Sequence, residues 1–304
     1  TSAIVSMLFL PAGYAVATFS GSAIYQVIAV VVLYFATRSV QTPSMRSFLG
    51  LGFWAGIMTQ FRSEFFTFSF ALIGLAAIVG YVSTRRTSTI TQAIAAMLLC
   101  AVIVTPWTVR NYRLYHRFIP VLSHPWYEIW RGENDLATGT TFNDEGKSVW
   151  VGPEKYPQLI ARMDSIPYDP MFEAKVDAIF HEDAIRFITT HPGRFLSLGC
   201  TKLAYFFTID PNRKESANPG YWAPMLVVSM LTLLGFYRLL RDRSQRPAAV
   251  IFLAFFGYYM AGTFITLMLP RYQLYVFASI GALTGLAFYP SRSGKSSAAL
   301  QTSA

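Results

Sequence analysis

Apolar runs of roughly membrane-span length, cut by short polar turns, fill both ends of this chain, and one long polar stretch separates them. A bilayer crossing takes about 20 mainly apolar residues. Eight segments meet that pattern, roughly 3–19, 22–37, 47–60, 64–83, 91–109, 220–237, 247–268 and 272–289. The first three are short, so their ends are soft. In the polar stretch, Phe172, Val176, Phe180, Ala184 and Phe187 recur at helical spacing and predict a helix over Met171–Thr190. His191-Pro192-Gly193 breaks it. Residues 194–208 then read as an amphipathic helix lying in the membrane interface. The organisation expected is five helices over 1–110, a loop over 111–219, three helices over 220–289 and a disordered Ser/Ala-rich cytoplasmic tail over 290–304. No internal repeat occurs at a fixed period.

Composition sharpens this picture. Apolar residues make up 53%, charged residues 13%, and the mean hydropathy is +0.39, which excludes an ordinary soluble domain. Of the 16 Asp and Glu, 14 fall between Glu128 and Glu215, leaving only Glu64 and Asp242 elsewhere. The expected fold class is therefore an all-α polytopic membrane protein with one large aqueous loop. The net charge of +9 does not point to nucleic acid, because the arginines sit at span ends and not along a face. Arg38 and Arg46 share one turn, Arg85 and Arg86 a second, and Arg238, Arg241, Arg243 and Arg246 a third. Arg292 and Lys295 follow the last span. With these four connections cytoplasmic, the alternation closes and the loop from about 110 to 219 lies outside the cytoplasm, as the positive-inside rule asks of an inner-membrane protein. Cys100 and Cys200 read as free thiols.

Several residues can carry chemistry or merely anchor. Pro106-Trp107-Thr108-Val109-Arg110-Asn111-Tyr112 ends a span with aromatic and basic groups that suit headgroup depth as well as a ligand. Trp126, Tyr127 and Trp130 can stack on a sugar ring or pack the loop. His116, His124, His181 and His191 all lie in the loop, but their spacing matches no zinc pattern; no cofactor is indicated, and a divalent metal stays open. Glu64 is the one acidic residue at an outer span end, placed to pair with Arg62 or to touch an acceptor.

The order Pro106-Trp107-x-x-Arg110-Asn111-Tyr112, Phe118-x-Pro120, Trp130-x-Gly132-x-Asn134, Ala137-Thr138-Gly139 resembles bacterial glycosyltransferase family 39-like proteins, relatives of the protein O-mannosyltransferases and of aminoarabinose transferase with the membrane GT-C fold. Arg62-Ser63-Glu64 resembles that family's Arg-Pro-Glu, His191-Pro192-Gly193-Arg194-Phe195 its His-Pro-Gly-Arg-Phe, and Arg271-Tyr272-Gln273-Leu274 its Arg-Tyr-Arg-Leu-Pro. The likeness covers about residues 5–289. The chain departs from the family in lacking a Thr-Glu pair over residues 20–37, where Ser22, Ala23, Ile24 and Tyr25 stand. Ser63 and Tyr275 replace two of its prolines.

The resemblance implies inverting transfer of a sugar from a polyprenyl phosphate to a lipid, glycan or protein acceptor. The leaving phosphate suits arginine, whose planar fork binds it bidentately. Arg62, Arg110, Arg131 and Arg271 are the phosphate-side candidates. Asn111, Tyr112, Trp130, Asn134 and Tyr272 are carried with them as substrate-binding candidates. The family's catalytic base lies in an acidic first loop. Nothing before Glu64 is acidic here, so the base is expected upstream of Thr1, with about three spans, and Glu64 is at most accessory. On that reading residues 1–304 alone transfer no sugar. The rival readings are an O-antigen ligase or polymerase-like protein and, from another class, a transporter. A transporter would place ionisable groups at mid-membrane, where this chain has none.

Overall fold

The computed structural model describes residues 21–121, 125–140, 156–208, 210–212, 217–268, 276 and 281–283. The expected segment 3–19, the tail, Arg271 and Tyr272 lie outside the described residues, as does most of 272–289. Within them the chain is helical, with no strand. The bundle is built from α1 (Gly21–Gln41), α2 (Met45–Phe61), α3 (Phe65–Thr84), α4 (Ser88–Tyr115), α9 (Pro219–Arg241) and α10 (Arg246–Ile265). The polar stretch supplies α5 (Trp126–Gly132), α6 (Pro157–Asp164), α7 (Phe172–Thr190) and α8 (Pro192–Phe207).

Among the described residues five helices are long and apolar enough to cross a membrane: those built on α1, α3, α4, α9 and α10. Their outward positions explain why. Ile90, Ile94, Leu98 and Val102 form a stripe along α4 at intervals of four, and each is more than half exposed. Such a surface is stable against hydrocarbon and costly against water. α2, at 17 residues, is shorter, and small residues let it sit close to its neighbours. A Cβ on Gly52 would lie 2.3 Å from the Ala96 carbonyl oxygen of α4, and one on Gly56 would press on Ile103. Hydroxyls gather across α2 and α3: Thr59 and Ser69 lie 3.0 Å apart and 3.0 and 3.1 Å from the Ala55 carbonyl oxygen, so one can donate to that carbonyl while the other donates to its neighbour hydroxyl. Without a hydrophobic force between helices in lipid, small-residue contacts and hydroxyl bonds are what hold such a bundle together. An aromatic cluster of Tyr25, Phe65, Phe68, Phe255, Tyr258 and Tyr259 joins α1, α3 and α10.

The arginine-bearing turns collect at one end of the bundle. Gln41, the last residue of α1, donates to Gln245, before α10, at 3.0 Å. Gly80, near the end of α3, stands against the Ser39 carbonyl and Pro43 of the α1–α2 turn. At the opposite end the Arg62–Glu64 turn meets α10, where the Tyr258 hydroxyl donates to the Glu64 carbonyl. α4 reaches past that level. Gln60 donates to the Ile103 carbonyl, and α4 continues 12 residues beyond it, about 18 Å at 1.5 Å per residue. Its last turns stand clear of the bundle on the loop side, and His116 ends the helix in the left-handed conformation (φ 52°).

Above this end, α5, α6 and α7 make their own small core of Trp130, Leu159, Ile179, Phe180 and Ala184. Asp177 of α7 caps α5 by accepting from the Trp126 and Tyr127 backbone N–H groups at 2.9 and 3.2 Å. The expected helix over 194–208 is α8, and its orientation is specific. Lys202 points inward and is fully buried, while Leu196, Cys200 and Ala204, four residues apart, are exposed. Lys202 is turned into the protein, Arg194 at the start of the helix stays exposed, and an apolar stripe is turned out.

Candidate functional site

The motif at the end of α4 forms a brace. Trp107 Nε1 donates to the Val121 carbonyl at 2.9 Å, and Thr108 Oγ1 to the Pro120 carbonyl at 2.9 Å. Asn111 Nδ2 donates to the carbonyls of Ile119 and Val121 at 3.1 and 3.2 Å. Pro-Trp-x-x-Arg-Asn-Tyr and Phe-x-Pro thus belong to one folded unit, in which a strap that lacks its own secondary structure has its carbonyls satisfied by side chains. Asn111 is buried in this role. Tyr112 is exposed. Arg110 is exposed too, its guanidinium 4.8 Å from the Trp107 ring centroid and 3.3 Å from Asn111 Oδ1. It has no carboxylate partner among the described residues.

The other two described candidates, Arg62 and Arg131, are engaged. Arg62 pairs with Glu64, its Nε 2.7 Å from Oε1. Arg131 pairs with Glu128 at 3.1 Å and lies over the Tyr127 ring. Of the two readings open for Trp130, the structure gives packing: it is 1% exposed, between Tyr156 and Phe180. Asn134 is buried and satisfied, donating to the Trp130 carbonyl at 2.8 Å and accepting from the Leu136 N–H and the Tyr156 hydroxyl at 2.9 and 2.7 Å. His181 lies edge-on to Trp126 and His191 contacts Thr190. Among the described residues no group of three or more His, Cys, Asp or Glu is arranged to hold a metal ion.

One pair escaped the motif reading. Glu133 and Lys202 form an ion pair in which both side chains are 0% exposed. Lys202 also donates to the Phe264 carbonyl of α10 at 3.3 Å. Next to it Gly132 lies against α10 so closely that a Cβ there would sit 1.5 Å from the Thr266 carbonyl oxygen. The loop, α8 and the loop-side end of α10 therefore meet at one point, and a charge pair occupies it. Glu133 Oε2 is buried with no hydrogen-bond partner among the described residues. Burial pushes the Glu133 carboxyl up to about 7, against the pull of Lys202, and pushes the Lys202 ammonium down. Both shifts favour the uncharged forms. The sequence did carry a signal: Lys202 stands alone among apolar residues, and Glu133 sits inside a Trp-Gly-rich segment. A sequence separation of 69 positions hid the pairing.

No protein-family model, no curated protein and no solved structure matches this chain.

Proposed function

We propose that the chain is part of an integral membrane glycosyltransferase of GT-C architecture, embedded in the cytoplasmic membrane with its large loop on the extracytoplasmic side. It takes a sugar from a polyprenyl phosphate and passes it to a lipid, glycan or protein hydroxyl. The observation that carries this reading is Arg110. A guanidinium stands exposed at the end of the longest described helix, braced by its motif neighbours, resting on an indole and without a carboxylate partner among the described residues. A site for a phosphate leaving group at the membrane boundary calls for this: a fixed cation with most of its N–H donors open and an apolar surface beside it for the lipid. The order of the motifs around it, from Pro106 to Gly139, supports the same class.

Polyprenyl phosphate binding by the chain in lipid nanodiscs tests the reading. Arg110→Ala is expected to weaken binding about tenfold or more, as for loss of a charged hydrogen bond of roughly 1.5–3 kcal/mol. Arg85→Ala, at the opposite end of the bundle, should leave it within about twofold. Arg110→Lys should recover little if the fork is what binds. Equal effects at the two positions would reduce Arg110 to an anchor and remove the reading's main support.

A further inference from the structure

The loop-side end of α4 carries charge that the function proposed above does not use. Arg113 and Arg117 both stand exposed there. Elsewhere on this side arginines meet the carboxylates of the loop and its neighbouring turn: Arg62 pairs with Glu64, Arg131 with Glu128, Arg162 with Glu182 and Asp183, and Arg186 with Asp183. Arg113 and Arg117 are in no ion pair among the described residues.

Their position says what they meet. A hydrocarbon layer takes up about 20 residues of helix, and α4 has 28. Counted from Ser88, next to the basic turn of Arg85 and Arg86, the layer ends near Trp107, and residues 108–115 are left for the headgroup region. The outward row of α4, Ile90, Ile94, Leu98 and Val102, runs on through Thr105 and Val109 to Arg113, all exposed, in steps of three or four. The side of the helix turned to acyl chains therefore presents a guanidinium where lipid phosphates begin. His116 then reverses the chain, and the strap runs back along α4: Ile119 bonds to Asn111, Pro120 to Thr108 and Val121 to Trp107. That return keeps Arg117 and Phe118, the latter 77% exposed, at the level of the last turns, where Tyr112 and Leu114 are exposed too. Apolar side chains interleaved with arginines suit a membrane interface and are costly against water.

We propose that Arg113 and Arg117, with Leu114 and Phe118 as apolar anchors, form a docking site for anionic phospholipid headgroups in the leaflet on the loop side, separate from the polyprenyl phosphate site at Arg110. The inference rests on α4 crossing the membrane and not on the glycosyltransferase reading. A guanidinium holds a phosphate through paired N–H donors. In a zwitterionic headgroup an ammonium already offsets the phosphate, whereas a headgroup of net negative charge leaves it to the arginines. Charge complementarity thus selects anionic over neutral lipid, and it fixes the end of α4, Arg110 included, at phosphate depth.

A fluorophore attached through Leu114→Cys, in a Cys200→Ser background, reports the lipids beside the site. The chain is placed in phosphatidylcholine vesicles that contain, at equal mole fraction, either phosphatidylglycerol or phosphatidylcholine with a nitroxide quencher near the headgroup. Quenching by phosphatidylglycerol should be stronger by about twofold or more, as expected for arginines near an anionic surface, and the preference should shrink in high salt. Arg113→Gln/Arg117→Gln, at two exposed positions, should abolish it; Arg85→Gln, at the opposite end of the bundle, should not. Equal quenching by the two lipids, or a preference that survives the double variant, overturns the proposal. Quenching by neither lipid places the end of α4 in water, open to an acidic partner there, and also overturns it. Loss of the preference in Arg110→Ala, with Arg113 and Arg117 intact, would assign the lipid to the Arg110 site and end the claim of a separate one. Inorganic phosphate that removes the preference at an ionic strength where chloride does not would make the site one for a free anion, and the lipid assignment would fall.

Discussion

Among single residues, buried polar groups separate into those that are satisfied and those that are not. Asn111 uses both amide hydrogens on strap carbonyls. Asn111→Leu should therefore cost about 1–3 kcal/mol through the two carbonyls left bare, read as a lower melting temperature in detergent, whereas Tyr112→Leu, at an exposed position, should be near neutral. Glu133 and Lys202 differ in that each is costly alone. Lys202→Met strands a buried carboxylate and should destabilise by about 3–5 kcal/mol, most of it recovered when Glu133→Leu is added. The pH dependence follows from the shift. Glu133 binds its proton more tightly folded than unfolded, since burial raises it from 4.5 to about 7. Its contribution to stability is complete below about 4.5 and is lost as the pH rises through about 7. Lys202, lowered by burial, has the opposite slope in the range below its ordinary 10.5. The melting temperature of the wild type, taken relative to Glu133→Gln, should thus fall between pH 4.5 and 7; a rise would mean that the ion pair outweighs desolvation. Little of this was legible in the sequence beyond the isolation of Lys202 among apolar residues. A motif names Trp130, Arg131 and Asn134, but which of them pack, pair or stay open is decided by partners tens of residues away.

Among elements the sequence was far more informative. The runs at 22–37, 47–60, 64–83, 91–109, 220–237 and 247–268 became α1, α2, α3, α4, α9 and α10, with ends moved by a few residues, and the helical spacing over Met171–Thr190 became α7. Apolar length and periodicity are local properties, so they survive folding unchanged. The rotation of α8 did not follow from its own pattern. Taken alone, Lys202 belongs on a water-facing side; it turns inward because Glu133, on another element, is there to receive it. Packing between helices was equally hidden. Gly52 is one of 20 glycines, yet it alone among those in α2 meets a neighbouring backbone, the Ala96 carbonyl of α4. Gly52→Ala should separate α2 from α4 and cost about 1–3 kcal/mol. Gly257→Ala, with nothing within 4 Å of the added carbon, should cost little. Unfolding of the two variants in mixed micelles compares them directly; equal losses would mean that α2 and α4 have slack at this contact.

For the whole molecule, the arrangement of charge makes its strongest statement. The turns carrying Arg38 and Arg46, Arg85 and Arg86, and Arg238 to Arg246 gather at one end of the bundle. The acid-rich loop, the Arg62–Glu64 turn and the end of α4 gather at the other. Turns scattered through more than 200 residues need not have converged in this way. Their convergence is the geometric counterpart of the alternation read from the sequence, and it gives the bundle one basic face and one face where acids and arginines mix. A membrane crossed by these helices would separate the two faces, with the basic one in the cytoplasm. Cysteine labelling examines this directly. Cys200 is exposed and Cys100 is buried in α4, so Cys200→Ser provides the background. Ser165, at the end of α6, and Ser244, in the basic turn, are both exposed. A membrane-impermeant maleimide added to intact cells should label Ser165→Cys and not Ser244→Cys, and Ser244→Cys should react only once the membrane is opened. Labelling of both from one side would break the topology, and with it the proposal that Arg110 and the loop share the face on which a lipid-linked sugar is presented.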